Sequence, residues 1–329
     1  LVWGPAPGAT QIHYRSLTVD DGLAQSAVTC ILQDHEGYLW FGTAHGLSRY
    51  DGYEFRNYHH DPDDLASPGN DEVSSLHVDA EGRLWVGTRS GLDRYDRNVD
   101  GFIRVLGDPA DSNLVHGGHV RAVTSDSGGF VWAGIQRELR RIDPDSGSIR
   151  VFRLPPGRTS FVRDVLGDSR GRLWVAMGPI LSAIPRPAGG IYHFDQTTES
   201  FVARRLVTAG DAESLSAVGV TSIAEDVRGR IWVGTLGPGL FVLDEESGEF
   251  RQHHPSVRAD LGQVMDLEPS ADGRLWVLAP PGSENVLVLE PDSQTLDRRP
   301  VVSETIGVQA IHMGRDSVLW LGTSGRGVY

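Results

Sequence analysis

Lysine is absent from this chain of 329 residues, and cysteine occurs once, as Cys30. A single cysteine rules out an internal disulfide and a cluster of thiolates around a metal. All 30 basic residues are therefore arginines. Arginine forks pair well with planar anions, but we interpret the bias across the whole chain as the codon preference of a GC-rich genome.

Long apolar runs and basic runs are missing as well. No stretch of 18 or more apolar residues occurs, which excludes a membrane-spanning helix within this sequence. Residues 1–5 lack the basic start and the apolar run of a signal peptide, so we expect a mature or trimmed product. The 44 acidic residues outnumber the basic ones and give a net charge of −14, which disfavours nucleic acids as partners.

Glycine and tryptophan are plentiful instead, with 40 and eight residues. Seven tryptophans recur at spacings of 42 to 58 residues, and each lies in one common frame. A valine precedes the tryptophan by twelve positions, an aliphatic residue by nine, usually an aspartate by six and a glycine by three. The repeated tryptophans are Trp40, Trp85, Trp132, Trp174, Trp232, Trp276 and Trp320. In the last two repeats Ser270 and Gly314 take the place of the aspartate.

The second repeat shows what one unit contains. Residues 73–78 and 83–88 are short runs rich in β-formers, and the Asp-Ala-Glu-Gly segment between them is typical of a tight turn. Residues 91–96 and 102–106 add two more strands. Four short antiparallel strands in about 45 residues are the pattern of a β-propeller blade. We therefore predict an all-β fold, a seven-bladed β-propeller with four antiparallel strands per blade.

Closure of the predicted ring involves both ends of the chain. The seventh repeat stops within its third strand, at Tyr329, whereas residues 11–17 fit the column of fourth strands. We expect residues 11–17 to complete the last blade and so to remove an open sheet edge. The predicted organisation is an N-terminal tail at 1–10 and a single propeller at 11–329.

The motifs DGLAQSAV at 21–28, DHEGYLWFGT at 34–43 and GLSRYDG at 46–52 resemble the repeats of the two-component regulator propeller family. Such propellers form the periplasmic sensor regions of bacterial histidine kinases and diguanylate cyclases. The resemblance implies a role in signal transduction, with an immunoglobulin-like domain, a membrane helix and a signalling output following the propeller in the full-length protein. It also implies a homodimer and, in some members, a second propeller.

The repeated residues themselves are interpreted as structural. The Asp and Gly of each frame lie in the turn between the first and second strands, and the tryptophan column packs between sheets. Cys30 aligns with Ser75, Ala122 and Ser222, which indicates a small core residue.

Function is expected where the repeats differ. In propellers the loops that lead into each first strand gather on one face around the central channel, and here the residues flanking the repeated valine vary in type. The candidate ligand-binding residues of this channel mouth are Glu72, His119, Arg121, Phe161, Arg163, Gln263 and Gln309. Arginine forks and amides of this kind could hold a small anionic or hydroxylated ligand, such as a carbohydrate or an organic acid. A solvated rim without a ligand is the alternative.

Two further segments depart from the repeat. Residues 178–190 form an apolar, proline-rich insertion in blade four, which is either a lid, a contact for a partner domain or an inert insertion. Residues 59–64 combine histidine with carboxylates and could bind a divalent cation. We interpret them as a solvated acidic loop, and we predict no metal and no cofactor.

An enzyme and a pure interaction scaffold are the competing interpretations. Streptogramin B lyase is similar in its seven-bladed propeller and its Gly-x-x-Trp frame, and it uses His and Glu with Mg²⁺. His119 and Glu72 could face each other across the channel, but no complete catalytic set is found at matching positions. We therefore predict no catalytic residues and a periplasmic, non-enzymatic sensor that binds a small molecule or a partner.

Overall fold

The computed structural model describes residues 15–106, 118–155, 160–179, 189–208, 218–253, 262–280, 286–290, 295–298 and 307–329. Apart from one 3-10 turn at Val19–Asp21, all regular structure in these ranges is β-strand. Within them, no helix has the length and apolarity needed to cross a bilayer.

The strands form sheets in which chain neighbours pair in antiparallel order. Blades one to three contain β1 (Val28–Gln33), β2 (Leu39–Thr43), β3 (Gly46–Tyr50), β4 (Phe55–Tyr58), β5 (Val73–Val78), β6 (Leu84–Thr88), β7 (Leu92–Asp96), β8 (Gly101–Leu106), β9 (Val120–Ser125), β10 (Val131–Ile135), β11 (Glu138–Ile142) and β12 (Ile149–Arg153). Blades four and five contain β13 (Ser160–Gly167), β14 (Leu173–Pro179), β15 (Gly190–Asp195), β16 (Ser200–Arg204), β17 (Leu206–Val207), β18 (Val220–Glu225), β19 (Ile231–Thr235), β20 (Leu240–Asp244) and β21 (Glu249–Gln252). The remaining strands are β22 (Asp266–Pro269), β23 (Leu275–Leu278), β24 (Val286–Glu290), β25 (Thr295–Arg298), β26 (Val308–Met313) and β27 (Leu319–Thr323).

The predicted propeller with four-stranded antiparallel blades is confirmed, but seven complete blades are not. The described residues contain six sheets of four or more strands, and β17 adds a short parallel strand to the fifth. The last sheet has two strands, β26 and β27, with Val328 bridged to Gly322 and to Leu17. Leu17 and Val328 exchange backbone hydrogen bonds of 2.8 and 2.9 Å. Of the segment 11–17 predicted to close the ring, residues 11–14 lie outside the described residues.

The core lies between sheets rather than within one. Seven clusters of buried apolar side chains each combine residues of two neighbouring sheets. One of them joins Leu17, Val328 and Ala310 to Val28 and Phe41 of the first blade. A single sheet cannot bury its own apolar faces, so the stability of each blade depends on packing against the neighbouring blade.

The repeated aspartate has the structural role that was predicted. In the first five blades its carboxylate, buried in four of them and partly buried at Asp126, accepts the indole N–H of the tryptophan six residues later, at 2.7 to 2.9 Å. The same carboxylate accepts backbone N–H groups of the turn, as Asp79 does from Arg83 at 2.9 Å. Cys30 fits the predicted small-residue column, and burial raises the pKa of its thiol to about 12.

Candidate functional site

A β-bulge repeats at the start of the first strand in six of the seven sheets. In six of the ladders between first and second strands the register shifts directly after the repeated valine, so one residue has no opposite partner. A bulge changes the direction in which the side chain of the extra residue points, relative to the regular alternation along the strand. All six bulged side chains line the central channel: Thr29, Ser74, Arg121, Arg163, Thr221 and Gln309.

In four blades this bulged side chain ties the blade to its neighbour. It donates a hydrogen bond to the carbonyl of the repeated valine of the next blade. These bonds run from Thr29 Oγ1 to Val73 (2.6 Å), Ser74 Oγ to Val120 (2.6 Å), Thr221 Oγ1 to Val264 (2.6 Å) and Gln309 Nε2 to Val28 (2.8 Å). Blades three and four carry Arg121 and Arg163 at this position instead, and Arg163 Nε is buried without a hydrogen-bond partner among the described residues.

The channel encloses a cavity of about 410 Å³, with walls from the first strands of all seven sheets. Burial lowers the pKa of both Arg121 and Arg163, and the charge of Arg121 lowers the pKa of Arg163 further. Two partly buried guanidinium groups thus lie near each other, with Glu72 and Asp164 as nearby opposite charges. Partly buried cations favour anionic partners. This end of the cavity is therefore suited to an anionic group.

Carboxylates lie one layer further along the channel. Asp164 accepts the backbone N–H of Ile223 at 2.7 Å, and Asp266 accepts Ser222 Oγ at 3.2 Å. Burial raises the pKa of Asp164 to about 6. Burial, followed by the nearby charges of Glu268 and Asp164, raises the pKa of Asp266 to about 7. The carboxyl groups of Asp164 and Asp266 therefore take up or release protons near neutral pH. In the protonated form they can donate a hydrogen bond to a ligand, and in the ionised form they can accept one from it.

His312 and Glu268 form a fixed pair beyond the aspartates. His312 Nε2 accepts the backbone N–H of Gln33 at 3.1 Å, so that nitrogen carries no proton. His312 Nδ1 lies 3.1 Å from Glu268 Oε1, which itself accepts the backbone N–H of Met313. The imidazole therefore donates from Nδ1 to the carboxylate, and both side chains are held in place.

Of the seven predicted site residues, Arg121, Arg163 and Gln309 line the cavity. His119 and Glu72 are close enough to influence Arg121 electrostatically, although Glu72 pairs with Arg89 at 2.8 Å. Burial, and then the charge of Arg121, lowers the pKa of His119 to about 4, and its buried Nε2 has no hydrogen-bond partner among the described residues. The imidazole is therefore neutral at pH 7.

Phe161 and Gln263 do not line this cavity. Phe161 pairs with Gly178 in the ladder of β13 and β14, and the exposed Gln263 bridges to Leu236. In the predicted insertion 178–190, residues 180–188 lie outside the described residues, so its role as a lid stays a prediction.

Sequence reasoning missed the carboxylate layer. Asp164 and Asp266 stand two positions after the repeated valine, in the column where Cys30, Ser75, Ala122 and Ser222 are small. Two acidic residues in a column of small ones are the signal that the sequence carries for them.

The model of the two-component regulator propeller repeat matches residues 22–45, 67–90 and 214–237. These three stretches are similar to two-component regulator propeller repeats, and together they cover less than a quarter of the chain. A stretch of 54 residues of this propeller is 46% identical to histidine kinase P4 of Formosa agariphila, and it covers 16% of the chain and 4% of the kinase.

Solved structures share the propeller fold of this chain. The extracellular domain of a putative hybrid two-component system from B. thetaiotaomicron is 20% identical, with a TM-score of 0.74 over 95% of this chain. The propeller spans 41% of that structure's length. An inactive variant of virginiamycin B lyase from Staphylococcus aureus is 15% identical, with a TM-score of 0.70 over 95% of this chain and 97% of the lyase.

Proposed function

We propose that this propeller is the ligand-sensing part of a bacterial transmembrane signalling protein, that it works outside the cytoplasm, and that it is not itself catalytic. The observation that carries the proposal is the replacement of the blade-tying hydroxyl groups by Arg121 and Arg163. These two blades lack the hydrogen bond between blades and gain partly buried positive charge in the channel, which has no structural benefit on its own.

The ligand class follows from the layers of the channel. Arginine forks bind carboxylates in a bidentate manner, and Asp164, Asp266 and Glu268 lie within reach of the same cavity to bind hydroxyl or ammonium groups. A small organic acid with hydroxyl or amino substituents satisfies both layers. A cavity of about 410 Å³ is in the usual range for small-molecule sites.

The proposal includes a ring of seven blades, the last of which is completed by the N-terminal strand. Its support is the pairing of Leu17 with Val328 and the apolar cluster that joins the last sheet to the first. A signal from the channel would then pass to C-terminal modules of the full-length protein, with a homodimer as the signalling unit.

The test is a thermal-shift screen at constant salt with malate, glutamate, gluconate and glucuronate, and with glucose as the neutral comparison. We expect an acid to raise the melting temperature, since a ligand that binds the folded state stabilises it. The shift should vanish in Arg121→Ala and Arg163→Ala. It should persist in Arg153→Ala, which removes an exposed arginine whose Nε lies 3.4 Å from Glu138 Oε1.

Unchanged shifts in both channel variants would place the ligand elsewhere. A channel that responds to none of the acids, in a chain that forms a stable dimer by light scattering, would favour the interaction scaffold.

A lyase-like activity is the second candidate function. The neutral His119, whose buried Nε2 has no hydrogen-bond partner among the described residues, favours it because such an imidazole can act as a base. It requires turnover that depends on Mg²⁺ and is lost in His119→Ala. The sensor role predicts no turnover in the wild type.

A further inference from the structure

Two histidines and an aspartate from three separate segments meet at one edge of blade one. His45 lies in the turn between β2 and β3, His59 directly follows β4, and Asp71 precedes β5. His45 Nδ1 is 3.2 Å from Asp71 Oδ2, and His59 Nδ1 is 3.7 Å from Asp71 Oδ1. One candidate ligand atom from each of the three residues lies within 4.8 Å of the others.

These separations are those of ligands around one small cation. Zinc binds imidazole nitrogen and carboxylate oxygen at about 2.0–2.2 Å, and tetrahedral geometry then places two ligand atoms about 3.3 Å apart. The centroids of the His45 and His59 rings are 5.5 Å apart. Small rotations of these side chains are enough to bring one nitrogen of each ring to the spacing of two ligand atoms. Both are exposed to solvent, so these rotations displace no core residue.

The backbone around the cluster is fixed by hydrogen bonds. Gly46 N donates to the Asp71 carbonyl at 2.8 Å, which joins the His45 turn to the segment before β5. The carboxylate of Asp71 also accepts His60 N at 2.7 Å, which orients one oxygen. Gly46 is needed here, because a Cβ at this residue would lie 2.7 Å from His59 Cε1 and its φ is +111°.

We propose that His45, His59 and Asp71 form a site for a divalent transition metal, with zinc as its representative. Two imidazoles and one carboxylate suit zinc, cobalt or nickel, whereas magnesium and calcium prefer all-oxygen sites. Three protein ligands leave at least one coordination position for water or an anionic group of a ligand. The site differs from the channel site and does not depend on it.

The experiment titrates Zn²⁺, and separately Co²⁺, into the full chain after removal of metals with EDTA. We expect one Zn²⁺ per chain by calorimetry, and visible absorption of Co²⁺ typical of nitrogen and oxygen ligation. His59→Ala and Asp71→Asn should each weaken Zn²⁺ binding at least about tenfold and remove the cobalt spectrum. Mg²⁺ and Ca²⁺ should not compete.

His35→Ala and Asp63→Asn are the matched controls, since both alter exposed groups outside the cluster and should bind Zn²⁺ as the wild type does. Circular dichroism checks that every variant is folded. Zinc affinity that is unchanged in His59→Ala and Asp71→Asn, or no binding at micromolar Zn²⁺, would overturn the proposal and leave the cluster as a histidine–carboxylate pair only.

Discussion

The first five sheets and the last two sheets surround the repeated tryptophan in different ways. In the first five blades a buried or, at Asp126, partly buried aspartate accepts the indole N–H, and each tryptophan is at most 1% exposed. In the last two blades Ser270 and Gly314 stand at the aspartate position, and Trp276 and Trp320 are only partly buried. Trp276 Nε1 is buried without a hydrogen-bond partner among the described residues.

The difference shows what the repeated aspartate is for. A buried indole N–H without an acceptor costs free energy, so the large apolar ring can be fully buried only where an acceptor accompanies it. The carboxylate is in turn compensated by turn amides and, in three blades, by an arginine four residues later. Asp, Arg and Trp therefore act as one unit, and the last blades hold together by other contacts.

The largest expected effect comes from removing the contacts that the N-terminal strand makes with the last sheet. Deleting residues 1–18 removes the buried Leu17 and its two hydrogen bonds with Val328, which support the blade that lacks the aspartate. We expect a loss of at least about 4 kcal/mol in unfolding free energy, measured as a sharp fall in melting temperature. Deleting only residues 1–10 should have little effect, and equal stability of the two deletions would contradict closure by the N-terminal strand.

A smaller loss is expected from Asp168→Ala. The substitution removes the acceptor of Trp174 Nε1 (2.9 Å), of Arg172 Nε (2.6 Å) and of the Arg172 backbone N–H (2.7 Å). Breaking such a buried, charged set costs about 3 kcal/mol by chemical denaturation at pH 7. Ser270→Ala, at the matching position of blade six, should cost less than about 1 kcal/mol.

The stability that Asp168 contributes is expected to depend on pH. Although burial opposes it, hydrogen bonds from Trp174 and Arg172 hold the pKa of Asp168 below its usual value. Its stabilising contribution is therefore present above the unfolded pKa of about 4 and is lost as pH falls through the lowered folded pKa. The stability gap between wild type and Asp168→Ala should accordingly close in acid, and a gap that stays constant to pH 2 would contradict this origin.

The smallest expected effect is an increase in stability. Ser270→Asp supplies blade six with an acceptor for Trp276 Nε1, which has none within the described part of the chain. Arg274 occupies the position of Arg83 and Arg172 in other blades. We expect a stabilisation of up to about 1 kcal/mol, seen as a higher melting temperature. The gain should disappear when Trp276→Phe is added, since phenylalanine has no N–H to donate. A gain that survives this second substitution would show another cause.

The candidate site was only partly predictable. Arg121 and Arg163 stood out because they interrupt a column beside the repeated valine, and both line the channel. Gln263 and Phe161 stood in flanking columns as well, but the strands turn them away from the cavity. Asp164 and Asp266 were overlooked because the bulge, which brings two successive residues toward the channel, leaves no signature in a single repeat.

The sequence by itself determined the blade, because each strand pairs with the next one along the chain and the repeated Val, Asp, Gly and Trp frame encodes that local pairing. Only the tertiary structure decided what the blades do together. Arg121 meets Arg163, and His45 meets Asp71, across blade boundaries and loops whose relative positions depend on packing between sheets. Burial in the channel then set the pKa values of Asp164 and Asp266, and burial is a property of the assembled ring rather than of any repeat.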